Sequence, residues 1–178
     1  RVLIILDEAY YEFAQDSPNY PDSMSYRYDN VITLRTYSKA YGLAGIRVGY
    51  GFAHESLIGN LLKVKVPFEP SLSAQAAGMA ALDDVDFLTE TLKINQEGMA
   101  FLKQEFDALG IEQIPSAANF ITTVWDSEKT ASTMTQNLLE KGVIVRQLTG
   151  FGWPNSIRIS VGLESENQKC IESLKEIL

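Results

Sequence analysis

The sequence is poor in the residues that make covalent and metal cross-links, with one cysteine (Cys170) and one histidine (His54). A lone thiol forms no internal disulfide, which fits a reducing compartment. One histidine and one cysteine also leave too few ligands for a His/Cys metal site. Cations are scarce: 15 lysines and arginines against 23 acids give a net charge of −8. That is too little positive charge to build the basic face that nucleic acid or an anionic membrane needs. No apolar run approaches the roughly 20 residues that span a bilayer, and the longest, residues 2–6, is strand-sized. No secretory leader, internal repeat or low-complexity stretch is legible. What remains is a globular composition, 46% hydrophobic and 21% charged, with length for one domain or one domain plus a small second. The chain opens on Arg1 directly against an apolar run. A buried strand there leaves no room for the elements it should pair with, so the expectation is a fragment.

"RVLIILDEAYYEF" is a continuous apolar run ending in charge, the pattern of a strand buried on both faces of a parallel sheet. A Pro/Ser/Asn-rich loop follows, then strands at "VITLRT" and "IRVGYGFA" and a short helix over residues 55–65, closed by Pro67 and Pro70. Residues 71–109 have helical spacing in two segments, an alanine-rich one and one with apolar residues at Phe87, Leu88, Leu92, Met99, Leu102, Phe106 and Leu109. Asp83 and Asp84 mark the break, and Gly110 the stop. From Ile111 onward the order reads β-α-β-β-α: "NFITTVW", a helix before Gly142, "VIVRQL", "SIRISVG" and a closing amphipathic helix. This looks like a separate small α+β unit.

The stretch "LRTYSKAYGLAGIRVGYGF" sets Lys39 and Arg47 among hydroxyls and glycines between two strands. A lysine at a strand end is a surface residue, an ion-pair partner or an amine that condenses with a carbonyl. Thr36, Ser38 and Arg47 together make a phosphate cradle, and Gly42 and Gly45 permit close backbone approach. A condensing amine beside a phosphate site points to pyridoxal phosphate. That cofactor needs a carboxylate beside its ring nitrogen to act as an electron sink. Asp7 ends the first strand, where ligands of open α/β sheets bind, and Tyr10 three residues on could reach the ring oxygen. Taken singly, Asp7 also reads as a loop cap and Tyr10 as a packed aromatic.

"DEAYYEF", "TYSKAYGLAGIRVGY" and "VIVRQLTGFGWPNSIRISVG", in that order across nearly the whole chain, resemble the fold-type I, pyridoxal-phosphate-dependent aminotransferases. The resemblance is greatest to their histidine-biosynthetic branch. The lysine motif is specific for the superfamily; the spacing of the C-terminal arginines suggests the branch. The resemblance implies an α/β fold: residues 1–109 as the second half of the large cofactor-binding domain (a mostly parallel sheet with helices, and the connecting helix), and 110–178 as a small α+β C-terminal domain. It implies Lys39 as the covalent attachment and proton carrier, Asp7 on the ring nitrogen and Tyr10 on the ring oxygen. Ser38, Arg47 and Thr36 would hold the phosphate. Arg158 would take the α-carboxylate of the amino acid and Arg146 the substrate's own phosphate, with Asn119 in "SAANFI" also matching the pattern. Both arginines have the alternative of facing solvent from a strand, and Asn119 that of capping a turn.

The reaction so implied moves an amino group between glutamate and imidazole-acetol phosphate in the cytoplasm, in a homodimer that acts on small molecules and not on nucleic acid or membranes. Threonine-phosphate decarboxylation, transamination of aromatic amino acids, and an inert folding or dimerisation fragment are the alternatives. Two departures stand out. "PFEPS" carries Glu69 where many relatives have a polar amide, and the Gly/Ser phosphate turn, ring-stacking aromatic and ring-oxygen asparagine of the family's other half are not found here.

Overall fold

The computed structural model describes residues 2–26 and 28–178. They form two compact units, residues 1–92 and 93–178. The division falls inside a long helix, whereas the sequence reading draws its domain line after Leu109.

In the first unit, β1 (Ile4–Asp7) leads through the single-turn helix α1 (Tyr11–Ala14) to β2 (Val31–Thr36) and β3 (Gly49–Ala53). The sheet order is β1-β2-β3. β1 and β2 run parallel, with Asp7 beside Leu34; β2 and β3 run antiparallel, with Thr36 beside Gly49. The apolar opening run is not buried on both faces as expected: Val2, Leu3, Ile4 and Ile5 are 74, 52, 43 and 59% exposed. β1 is an edge strand with β2 as its neighbour, and a continuous apolar run reports composition, not what covers it.

Helix α2 (Glu55–Val64) begins at His54, whose Nδ1 accepts a hydrogen bond from the Ser56 amide. Helix α3 (Leu72–Asp83) is capped by Ser71, whose side chain accepts from the Ala74 amide. Its small residues let it come close. Ala74 packs with Tyr37 and Val48, and a Cβ on Gly78 would meet the Tyr37 ring at 3.5 Å. The break at Asp84 is real: its carboxylate accepts from the Phe87 amide and starts α4 (Val85–Ala108).

Gly110 ends that helix at φ +69°, and the Ile111 amide donates back to the Phe106 carbonyl at 2.9 Å, a left-handed termination that glycine makes without strain. The second unit then runs β4 (Glu112–Ile114), β5 (Phe120–Val124), α5 (Glu128–Glu140), β6 (Arg146–Leu148), β7 (Trp153–Ser160) and α6 (Glu164–Ile177). The sheet order is β4-β5-β7-β6, antiparallel throughout. The order is therefore β-β-α-β-β-α, one strand more than expected. β4 has three residues and stops at Pro115, too short to show alternation. β6 is narrower than "VIVRQL", since Ile144 is 86% exposed.

Ile121 from β5 and Ile157 and Ile159 from β7 face one side of this sheet, where they cluster with Met99, Leu102 and Phe106 of α4, Leu138 of α5 and Leu174 of α6. Leu102, Phe106, Ile121, Leu138, Ile157 and Leu174 are withdrawn from solvent, each contributing about 1.5–3 kcal/mol. The opposite face is left to Thr122, Arg146 and Arg158.

Candidate active site

Asp7 is the last residue of β1 and Thr36 the last of β2, so the parallel pair delivers both to the carboxyl ends of neighbouring strands. Beyond the ladder, the Glu8 amide still donates to the Leu34 carbonyl at 2.9 Å, which fixes where the chain leaves β1. The Asp7 carboxylate accepts from the Ala9 amide at 3.2 Å and shapes the turn into α1. Asp7 therefore does cap its loop while remaining exposed. Thr36 Oγ1 accepts from the Ser38 amide at 3.0 Å, and the Gly42 amide donates to the Lys39 carbonyl at 3.0 Å. This turn passes through Gly42 at φ +68° and lifts Lys39 out into solvent.

Lys39 Nζ stands 5.3 Å from the centroid of the Tyr10 ring. The two turns, one after each parallel strand, thus meet at this amine. Arg47 returns to the same place from the other side. Thr36 is registered with Gly49 and the Tyr37 amide donates to the Val48 carbonyl at 3.3 Å, so Ser38 and Arg47 occupy the next positions of the hairpin. Arg47 has φ +61°, a left-handed conformation that costs a side-chain-bearing residue about 1–3 kcal/mol, and its Nη1 donates to the Ala44 carbonyl at 2.7 Å.

Among the described residues, no carboxylate forms an ion pair with Lys39 or Arg47. An amine and a guanidinium without ion-pair partners and two hydroxyls in the connection after β2, with the Tyr10 ring beside the amine and the Asp7 carboxylate at the end of the neighbouring strand, suit a ligand with a phosphate and a carbonyl. The donor set fits pyridoxal phosphate.

The sequence reading missed the layer beneath. Arg35 is a charged residue inside a strand, and its Nε donates to Glu8 Oε2 at 3.0 Å with 10% and 7% of the two side chains exposed. Its guanidinium carbon lies 3.3 Å from the centroid of the Tyr11 ring. Glu12, one helical turn beyond Glu8, is buried, and that burial pushes its carboxyl above the ordinary value. Tyr37, Tyr41 and Tyr50 pack nearby as tilted rings with centroids 5.2 Å apart in two pairs. Burial, and then the Glu12 charge, push Tyr41 up to about 12. The signal that could have found this layer was an arginine in "VITLRT" and two glutamates four apart in "DEAYYEF".

The remaining expected residues lie in the second unit. Arg146 on β6 is directly opposite Arg158 on β7, and Arg158 is also registered with Thr122 on β5. The Arg158 guanidinium carbon lies 5.1 Å from the Phe120 ring centroid, and its Nε is buried without a hydrogen-bond partner. Arg146 is exposed. Asn119 stands next to Phe120, and its carbonyl accepts from the Val161 amide at 2.9 Å. The structure thus brings Arg146 and Arg158 together, with Asn119 at the end of the strand beside them.

The aminotransferase class I and II family model matches residues 1–174, and the chain belongs to that family. Histidinol-phosphate aminotransferase 1 of Nitrosococcus oceani is 46% identical over the whole chain, which covers 48% of that protein. Histidinol-phosphate aminotransferase of Akkermansia muciniphila is 47% identical with the same coverage, 100% of this chain and 48% of the relative. Among solved structures, histidinol-phosphate aminotransferase from Sinorhizobium meliloti in complex with pyridoxal-5′-phosphate superimposes with a TM-score of 0.87 at 30% identity, over 99% of this chain and 50% of that one. The chain spans about half the length of the curated relatives it matches.

Proposed function

We propose that the chain carries the lysine-bearing half of a pyridoxal-phosphate-dependent aminotransferase that exchanges an amino group between glutamate and the ketone partner of histidinol phosphate. The observation that carries the reading is the approach of Lys39 Nζ to the Tyr10 ring at 5.3 Å, from turns that follow two parallel strands ending in Asp7 and Thr36. Family membership and the names of the relatives support it. Residues 1–109 are read as the second half of the large domain with the connecting helix, and residues 110–178 as the small domain.

Pyridoxal phosphate, when bound, supplies an electron sink that weakens the bonds at the amino carbon of the substrate. The chain's own residues do the rest. The Lys39 amine would anchor the group covalently and would serve as the base and acid for proton transfer at the substrate's amino carbon. The Asp7 carboxylate would keep the ring nitrogen protonated, and the Tyr10 hydroxyl would reach the ring oxygen. Thr36, Ser38 and Arg47 hold the phosphate. Arg158 presents a planar fork to the carboxylate of glutamate, Arg146 a second cation for the phosphate of histidinol phosphate, and Asn119 a polar amide at the strand end beside Arg158. Among the described residues no helix is long and apolar enough to cross a membrane. The assembly is read as a cytoplasmic homodimer acting on small molecules.

The test is borohydride reduction of the cofactor-loaded full-length protein followed by peptide mapping. A pyridoxyl group on Lys39 is expected, together with single-turnover spectral changes on adding glutamate or histidinol phosphate. A label on another lysine defeats the site. Release of carbon dioxide from threonine phosphate, or turnover of aromatic amino acids but not histidinol phosphate, replaces the reaction.

A further inference from the structure

Two residues next door to the cofactor positions have no part in the reading above, although they are more deeply buried. Glu8 follows Asp7, and Arg35 precedes Thr36. Strand alternation turns Arg35 to the face opposite Thr36, the face on which Thr33 Oγ1 donates to Ser23 Oγ at 3.2 Å. There the guanidinium is held on three sides. Nε donates to Glu8 at 3.0 Å, the Tyr11 ring lies 3.3 Å from Cζ, and Nη2 is 3.7 Å from Asp22 Oδ1.

Each contact reaches a different piece of chain: Glu8 is the first residue after β1, Tyr11 the first of α1, and Asp22 the cap of the short 3-10 turn Ser23–Ser25. Tyr10 lies between Glu8 and Tyr11 in the chain, and both of these contact the same residue of β2. Within the cluster the Arg35 and Glu8 charges balance one another, and burial raises the carboxyl of the nearby Glu12 above its ordinary value. An ion pair this deeply buried is no more stabilising than well-packed apolar side chains of similar volume. What it contributes is direction: a guanidinium that donates from Nε to Glu8 while lying over the Tyr11 ring fixes angles that apolar contacts leave loose.

We propose that Arg35 and Glu8 are positioning residues: their ion pair, stacked on Tyr11, clamps the turn bearing Asp7 and Tyr10 against the turn bearing Ser38 and Lys39, and so sets how tightly and in what electronic state the cofactor is held. The proposal rests on the cofactor reading above. Outer partners that orient ligand-holding side chains are worth about 10–100-fold in affinity where they have been measured in metal sites, and an effect of that order is expected here.

The experiment uses the full-length protein, with pyridoxal phosphate as the probe. Arg35→Lys keeps the charge and removes the fork and the stacked plane; the double variant Glu8→Leu with Arg35→Met replaces the pair by apolar groups. Three quantities are read for each: the thermal midpoint of the apo-protein, the dissociation constant of pyridoxal phosphate, and the pH midpoint of the absorption band of the Lys39-bound cofactor. The expected result is a thermal midpoint near that of the wild type, affinity lower by about tenfold or more, and a displaced pH midpoint in both variants. Wild-type affinity and band in a folded variant overturn the proposal. Loss of thermal stability in step with affinity, in both variants, also overturns it, because the pair is then a structural element only. If the wild-type protein places no pyridoxyl group on Lys39, it is the cofactor reading that fails, a different result from an unaltered variant.

Discussion

Arg146 and Arg158 face one another across adjacent antiparallel strands, two like charges in a position where each destabilises the other. The Arg158 Nε is buried without a partner, at a cost of about 1–3 kcal/mol or more for a charged group. A sheet that tolerates both is suited to binding anions there. On the proposed reaction, glutamate brings two carboxylates and histidinol phosphate a phosphate but no carboxylate, so the two would draw on the pair differently. Arg158→Ala is expected to impair the glutamate half-reaction most, and Arg146→Ala to weaken histidinol phosphate about tenfold, since charge-assisted contacts contribute roughly 1.5–3 kcal/mol. Single-turnover absorbance in the full-length protein follows each half separately. An Arg146→Ala protein with unchanged affinity for the phosphate substrate rules that arginine out as its phosphate site.

Asp7 is exposed and already accepts one backbone hydrogen bond, from Ala9. If its function is to keep a ring nitrogen protonated, Asp7→Ala lowers turnover far more than cofactor occupancy. Occupancy from the bound-cofactor absorbance and turnover from the coupled assay should part company. Equal losses in the two would make Asp7 no more than the cap of its turn.

Gly98 lies where α4 meets residues 161–167. A Cβ there would come within 2.4 Å of Val161 Cγ1 and 2.8 Å of Asn167 Nδ2. Asn167 cannot give way freely, because it holds the Gly162 amide and carbonyl at 2.9 and 3.0 Å. Gly98→Ala should therefore destabilise by about 1–3 kcal/mol through overpacking, read as a lower denaturant midpoint. Gly59→Ala, with nothing within 4 Å of the added carbon, is the control and should leave the midpoint in place or raise it slightly.

Glu12 gives a pH dependence with a definite sign. Burial raises its carboxyl in the folded protein above the ordinary value of 4.5, so the native state binds the proton more tightly than the unfolded chain. Its effect is most favourable to the fold at low pH and is lost as pH rises from the ordinary value through the raised one. Glu12→Gln, which stays neutral, should flatten that part of the stability profile and be relatively more stable than wild type above it. A profile unchanged by Glu12→Gln assigns the slope to another group.

Much of the scaffold was legible because local chemistry decides it. Asp84, Gly110 and Gly142 each end or begin a helix as their side chains, or the lack of one, require. Lys39, Thr36, Ser38 and Arg47 were singled out for the same reason, lying together in the connection between β2 and β3. The exposed edge at β1 was not, since an apolar run reads as buried whatever its neighbours. β4 was too short to have a period. The Arg35–Glu8 pair and the facing arginines depend on strand register: the parallel pairing of β1 with β2 in one case, and a hairpin with a bulge at Gln147/Leu148 in the other. Nothing within a few residues of Arg35 or Arg146 reports that register.

The two halves of the lysine turn's surroundings are joined to it by very different stretches of chain. β2 and β3 are a hairpin, closed by the segment that carries Ser38, Lys39 and Arg47, whereas β1 reaches β2 only through a crossover containing α1 and the long polar loop. Local closure is quick, and parallel pairing waits on the larger entropic cost of the crossover. During folding the cations and hydroxyls should therefore be gathered first, with Asp7 and Tyr10 arriving later. On the proposed roles of these residues, a chain at that stage would hold the phosphate group of the cofactor before it could govern the chemistry of the attached ring.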